Sequence, residues 1–504
     1  MAAVVLSEHP KGIRVQSDAW VIEHALEFGG AWSSVVLTHG SGKNLLQRPL
    51  SSALRFVSPD AASDLGAFTS FNEHSEKAPR LKIEPSTSGI AAVVAEGTLT
   101  DAKGNTVPVG YRRRTEYHDD GQIWTTLDLM SDSGCPDVVE LRAIDLGLRL
   151  GFSDAFVRFH PSQAGGADLL GGRGWFDLTA PGTSFLSRFT PLQVCCLERG
   201  GEGIDLFPGS ELSAWDTAVR QPGLGDYSIS QTQSGISIHL SPYCVAYRRI
   251  KTTLKGHVSF RLGIGLPNLA PHRTRPALNA TTLSGPPWSS DEQLAGLARQ
   301  GVKLLRFEND FSERGEFWRA GVHPPFDPAG MSELRRVIDS AHRLGMKIVA
   351  ALSLHELHPG APAFAGHARE WMHAAGPSLD IIHTYRGSGE SGALMCLKSG
   401  WVDHCKAAAA TILAELPWDG LFLKQAASYP CCHPGHGHAP YHSDIEQLLY
   451  VIGEIRARIG AEKLLLLDLA GAPNLIAENS ADAVFVNDAE SAIVPLYAAR
   501  LKLS

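Results

Sequence analysis

Six acids stand just past apolar runs of strand length. Glu308 and Asp310 follow 301–307, Glu356 follows 346–354, Asp468 follows 463–467, and Asp488 and Glu490 follow 483–486. Cleavage of a glycosidic bond needs two such groups, a proton donor and a second carboxylate across the scissile bond. A separation of about 5 Å goes with retention and roughly 6.5–9.5 Å with inversion. The favoured pair is Asp310 or Glu356 with Asp488, while Glu308, Asp468 and Glu490 are expected to hold substrate. Each acid has a structural alternative, capping the next helix or pairing with an arginine. The run 419–423 ends instead in Lys424. An ammonium there can neutralise a uronate or sulfate, or hold a neighbouring carboxylate ionised. A Schiff-base role is open to a desolvated lysine, and so is a plain salt bridge.

The loop 429–442 is dense in soft donors: Tyr429, Cys431, Cys432, His433, His436, His438, Tyr441 and His442. Such crowding can bind zinc, yet the spacing matches neither a Cys-x2-Cys pair nor a His-Glu-x-x-His helix. His355-Glu-Leu-His358 misses the i, i+4 geometry as well. Hydrogen bonding to sugar hydroxyls accounts for His355, Tyr429, His433 and His436, so no metal and no cofactor are expected. Trp401 and Tyr429, flanking the Lys424 strand, are candidate sugar platforms, with core packing as the alternative.

Those residues need a frame that brings strand ends together. From 288 onward, apolar runs alternate with helix-patterned segments at 291–299, 327–345, 402–416 and 444–458, and Ser289-Ser290 can cap the first of these. That alternation implies a parallel sheet, with polar groups gathered at the C-terminal ends of its strands. Five or six strands are legible by Asp488. A closed eight-stranded barrel takes about 250 residues, so a (β/α) TIM-like barrel here is expected to be short or incomplete. Residues 1–265 read differently, as short alternating runs broken by turn signals such as Asp119-Asp-Gly121, the pattern of an antiparallel sandwich. The Pro-, Ser- and Thr-rich stretch 266–287 reads as a linker.

Length and composition bound the rest. The chain has 504 residues, 44% hydrophobic and 19% charged, which suits a globular protein of two or more domains. A net charge of −8 gives no basic footprint for nucleic acid. No apolar run reaches the roughly 20 residues of a membrane span. The first residues carry neither a basic start nor an apolar signal core, so the expected location is cytoplasmic. Eight cysteines in a chain this long are expected to be mostly buried, reduced thiols.

The order of a β-sandwich opening with Gly29-Gly30-Ala-Trp32 and Gly40-Ser-Gly42-Lys-Asn44, a linker and a barrel resembles a known group of glycoside hydrolases. These join a galactose-mutarotase-like supersandwich to a catalytic TIM barrel, as melibiase-type α-galactosidases and endo-α-N-acetylgalactosaminidases do. The motifs that carry the likeness are Glu308-Asn-Asp310, Glu356, a cysteine segment before Gly400-Trp401, Cys431-Cys-His-Pro-Gly-His436 and Asp488-Ala-Glu490. Such relatives usually place an aspartate, a candidate nucleophile or stabiliser, where this chain has Lys424. The resemblance therefore implies a carbohydrate-active enzyme with Asp310, Glu356, Asp488 and Lys424 at its centre. Two alternatives stand beside it: a carbohydrate-binding relative without catalysis, and a metal-dependent lyase or hydrolase using the 431–442 loop. The expected partner is an oligosaccharide or glycoside. An open sheet edge must usually be covered, which points to a homo-oligomer or a partner chain.

Overall fold

The computed structural model describes residues 3–57, 68–76, 78–87, 89–131, 141–152, 155–160, 176–178, 184–187, 193–198, 201–209, 227–244, 256–269, 279–308, 328–359, 361–374, 383–386, 390–438, 442–469 and 474–485. The chain divides into two compact units, Met1–Ser162 with Ala167–Pro271, and Gln163–Gly166 with His272–Ser504.

Among the described residues, every strand pair of the first unit is antiparallel. Strands Val5–His9, Gly12–Gln16, Trp20–Ala25 and Ala31–Leu37 pair in chain order, and fifteen more form a second sheet. The period-two pattern explains how these strands find a core. Along Thr106–His118, Val107, Val109, Tyr111, Arg113, Thr115 and Tyr117 are buried while their neighbours are not, because alternate side chains leave opposite faces of a pleated strand. Ile13, Val15 and Ile22 of the small sheet share one apolar cluster with Val93, Leu127 and Leu262 of the large one, so the two sheets form two packed layers. Between them, the ring Nδ1 of buried His24 contacts Gly30 O at 2.8 Å and its Nε2 contacts Tyr117 Oη at 2.6 Å. Trp32 Nε1 donates to the same Tyr117 oxygen. The turn that delivers Gly30 uses two left-handed glycines, Gly29 and Gly30. A Cβ on Gly30 would stand 2.5 Å from that of Ala95.

The second unit is built on six parallel strands in sequence order: β1 Ala280–Leu283, β2 Leu304–Phe307, β3 Lys347–Ser353, β4 Gly420–Lys424, β5 Leu464–Asp468 and β6 Ala483–Phe485. All but the first residue of β3 are buried, as expected of a parallel sheet covered on both faces. Helices Asp291–Arg299 (α1), Pro328–Arg343 (α2), Pro362–Trp371 (α3), Trp401–Glu415 (α4), Ile445–Ile459 (α5) and Leu475–Ser480 (α6) lie between successive strands. Ser290 starts α1 with a full capping box to Gln293. The amphipathic α2 buries Leu334, Val337, Ile338 and Ala341.

One expectation needs correction. The stretch 266–287 is not all linker, because its Thr281-Thr282-Leu283 segment pairs with β2 as the first strand of the sheet. β-Branched residues favour that pleated setting despite the flanking prolines. Among the described residues the sheet has six strands rather than the eight of a closed barrel, and β1 and β6 are its edges. No helix among the described residues is long and apolar enough to cross a membrane.

Candidate functional site

Strand alternation places Thr282, Arg306, Ala351, Phe422, Lys424, Leu466, Asp468 and Phe485 on one face of the parallel sheet. At the foot of this face the residues are apolar, with Leu304, Val349, Phe422 and Leu466 in one cluster. At the C-terminal ends of the strands the face turns polar. Lys424 Nζ lies 2.6 Å from Glu308 Oε2, with both side chains more than four-fifths buried. Thr282 donates to Glu308 Oε1 at 3.1 Å, and Arg306 donates to Thr282 at 2.9 Å. The Arg306 guanidinium packs over the Phe422 and Phe485 rings, at 5.1 and 4.1 Å from their centroids. Burial pulls Arg306 below its ordinary value, while the charges of Glu308 and Asp468 act to restore it. Its buried Nε has no hydrogen-bond partner among the described residues.

Past β3 and β4 the chain ends are tied together. Ser353 Oγ contacts Gln425 Oε1 at 2.9 Å, and Gln425 O contacts His355 Nδ1 at 2.9 Å. Gln425 has φ +55°, a left-handed conformation that costs a non-glycine residue energy, and these bonds help to hold it. The other nitrogen of His355 meets Asp444 Oδ2 at 2.9 Å.

Asp444 is the hub of this region. It stands at the N-cap of α5 without capping it through its side chain. Its Oδ2 instead contacts His355 Nε2, His373 Nε2 at 3.2 Å and the Leu397 amide at 3.1 Å, and its Oδ1 takes the Tyr429 amide at 3.2 Å. Burial opposes its charge, but His355 and His373 outweigh that and hold its carboxyl well below the usual range. Burial likewise opposes charge on His373, and Asp444 and Cys431 reverse the effect, raising it to about 9.

Beside this hub four further donors converge. The Sγ atoms of Cys396 and Cys431 and one ring nitrogen each of His436 and His438 lie within 4.8 Å of one another. Cys396, His373, His436 and His438 all favour the Cys431 thiolate, which is held far below a normal thiol, while burial pushes Cys396 up. The loop is braced on the end of α3, where the last carbonyls of a helix lack intrahelical donors. His433 Nε2 meets Arg369 O at 2.9 Å, His436 Nε2 meets Glu370 O at 2.7 Å, and the Cys396 amide donates to Trp371 O at 2.7 Å.

The residues singled out in the sequence therefore divide. Glu308, Lys424 and Asp468 share the strand-end face. His355, Tyr429 and His436 belong to the Asp444 and Cys/His region, where Tyr429 sets its ring edgewise to His355 and His373. Glu356 is buried in a small antiparallel sheet, against Gly392. Trp401 is 3% exposed, donates to Leu354 O and stacks on His404, so it packs rather than offering an open ring. Asp310, Asp488 and Glu490 lie outside the described residues. Sequence reasoning missed Asp444, His373 and Cys396 as members of a cluster. Asp444 was legible only as a helix start, and Cys396 stands 35 positions before Cys431, a gap no local motif spans. Cys195, Cys196, Cys396, Cys405, Cys431 and Cys432 are buried free thiols.

No family model matches the chain, and no curated protein matches it. Among solved structures, those it is similar to include glycoside hydrolases. One is the GH36 α-galactosidase AgaB of Geobacillus stearothermophilus, at 12% identity and TM-score 0.48, over 99% of this chain and 78% of that one. Another is the galactosidase domain of the α-galactosidase–sucrose kinase AgaSK, at 10% and 0.47 over 99% and 78%. A third is the α-N-acetylgalactosaminidase NagBb of Bifidobacterium bifidum, at 12% and 0.38 over 93% and 77%. Likeness at this distance assigns neither a family nor an activity.

Proposed function

We propose that the second unit is a carbohydrate-active enzyme of glycoside-hydrolase type, with its site at the C-terminal ends of the parallel strands. The observation that carries this reading is the Glu308–Lys424 pair at 2.6 Å, set beside Asp468 on the same face. Carboxylates accept hydrogen bonds from sugar hydroxyls and an ammonium donates to them, so such a rim suits a polyhydroxylated, uncharged substrate. Lys424 has no carboxylate with which to form a glycosyl ester. Its partner Glu308 is engaged with a cation, which fits it to orient substrate rather than donate a proton. The reacting pair is then Asp310 with Asp488, one as acid and the other as base or nucleophile, since Glu356 is buried in the small antiparallel sheet.

One observation favours a second reading, a carbohydrate-binding protein without catalysis. The first acid past β2 is already paired with a lysine, and a neutralised pair binds hydroxyls without driving chemistry. Product release from a panel of oligosaccharides and aryl glycosides, wild type beside Asp488→Asn and Glu308→Gln, decides between them. Turnover abolished in Asp488→Asn supports hydrolysis. Saturable glycan binding with no turnover in the wild type supports the binding protein, and neither binding nor turnover refutes both. We also propose that the edge strands of the six-stranded sheet are covered by a second copy or a partner chain. A monomer by light scattering would refute self-association.

A further inference from the structure

We infer that Cys396, Cys431, His436 and His438 form a structural zinc site, one that ties the 431–438 loop to the segment after Glu390–Leu394. Four observations carry the assignment. The donor set is two thiols and two imidazoles, which zinc takes in closed tetrahedral sites. The spacing fits as well: zinc–sulfur and zinc–nitrogen bonds of about 2.3 and 2.05 Å set tetrahedral S···N edges of about 3.6 Å. Here Cys431 Sγ to His436 Nδ1 is 3.6 Å, Cys396 Sγ to His438 Nε2 is 3.9 Å, and all four donors fall within 4.8 Å of one another.

The third observation is that the surroundings prepare these atoms for a cation. His436 Nε2 donates a hydrogen bond to Glu370 O at 2.7 Å, which turns Nδ1 towards Cys431. Such a carbonyl partner is what fixes the tautomer of a metal-bound histidine. The His433 amide donates to Cys431 Sγ at 3.4 Å, a bond that favours a thiolate. Fourth, backbone hydrogen bonds hold the ligand-bearing segment in place. Pro430–Cys431 pairs with His442–Ser443, and the turn Pro434–His436 closes on left-handed Gly437.

Four protein ligands leave no open coordination position, so the ion stabilises and does not catalyse. Zinc binds the cysteines as thiolates, so any proton they still carry is released as the ion arrives. The site does not depend on the carbohydrate reading, and metal content is measured without a substrate.

The test is zinc analysis of the full chain, purified and dialysed under reducing conditions, followed by cobalt substitution. About one zinc per chain is expected, with a tetrahedral cobalt spectrum carrying a thiolate charge-transfer band. His438→Ala, at a half-buried position, and Cys396→Ser are each expected to weaken zinc binding at least about tenfold. Cys405→Ala, which removes a buried thiol outside the cluster, should keep the metal. If the cysteine variant fails to fold, the His438→Ala titration and the wild-type cobalt spectrum still decide. Wild type that takes up no zinc or cobalt overturns the assignment. So does a Cys396–Cys431 disulfide in the reduced preparation, or His438→Ala that binds zinc as tightly as wild type.

Discussion

Replacing Asp444 with asparagine tests whether one buried carboxylate organises the loops beyond β3 and β4. Asp444 is fully buried, and four donors converge on it: His355, His373 and the Leu397 amide on Oδ2, and the Tyr429 amide on Oδ1. A carboxylate accepts at both oxygens, whereas an amide accepts at one and donates at the other. Whichever way asparagine turns, its NH2 group meets at least one N–H head-on. The change also strips buried His373, raised to about 9 by its neighbours, of its counter-charge. Breaking a buried charged pair by removing one partner costs about 3–5 kcal/mol. In a unit of this size each kcal/mol lowers the melting temperature by roughly 2–4 °C, so a fall of roughly 6–20 °C is expected. Urea unfolding supplies the global number, and amide hydrogen exchange at Leu397 and Tyr429 supplies the local one. Asp403→Asn is the control, since Asp403 is 76% exposed in its pair with Lys406 and should change stability by less than about 1 kcal/mol. Asp444→Asn within about 1 kcal/mol of wild type, with the Leu397 and Tyr429 amides still protected, would refute the reasoning.

In the first unit, burial holds His24 down at about 4, against about 6.5 when unfolded. Its contribution is therefore complete above pH 6.5 and is lost as pH falls towards 4, a difference of about 3 kcal/mol. Unfolding free energy measured across that window should lose this slope in His24→Gln. Lys424→Met leaves Glu308 mostly buried without its cation and should cost about 1–3 kcal/mol, a range set between exposed and buried pairs. Adding Glu308→Gln should recover most of that cost, and additive losses in the double-mutant cycle would deny the pairing. Gly420→Ala would bring a Cβ to 1.9 Å from the Leu464 carbonyl oxygen. Because backbone must move, a loss of at least about 1–3 kcal/mol is expected, and a wild-type melting curve would contradict it.

The two halves of this chain were legible because their signals are local. Alternation of period two along Thr106–His118 gives a half-buried antiparallel strand whatever its neighbours are. The apolar runs of β2 to β6, with amphipathic segments between them, leave a parallel sheet as the economical arrangement. Ser290 and Gln293 cap α1 through groups three residues apart, and polar residues at strand ends already marked Glu308, Lys424 and Asp468. Tertiary structure alone decided which of these meet. Glu308 and Lys424 are 116 positions apart, and they pair because both leave the same face of the sheet. Cys396 joins Cys431, His436 and His438 because the C-terminal carbonyls of α3 seat both segments. Asp444, in sequence only a residue that starts a helix, becomes a hub because packing buries its carboxylate among donors from four separate segments. Local propensity acts over a few residues along the chain, whereas the convergence of side chains that makes a site depends on elements distant in sequence packing together.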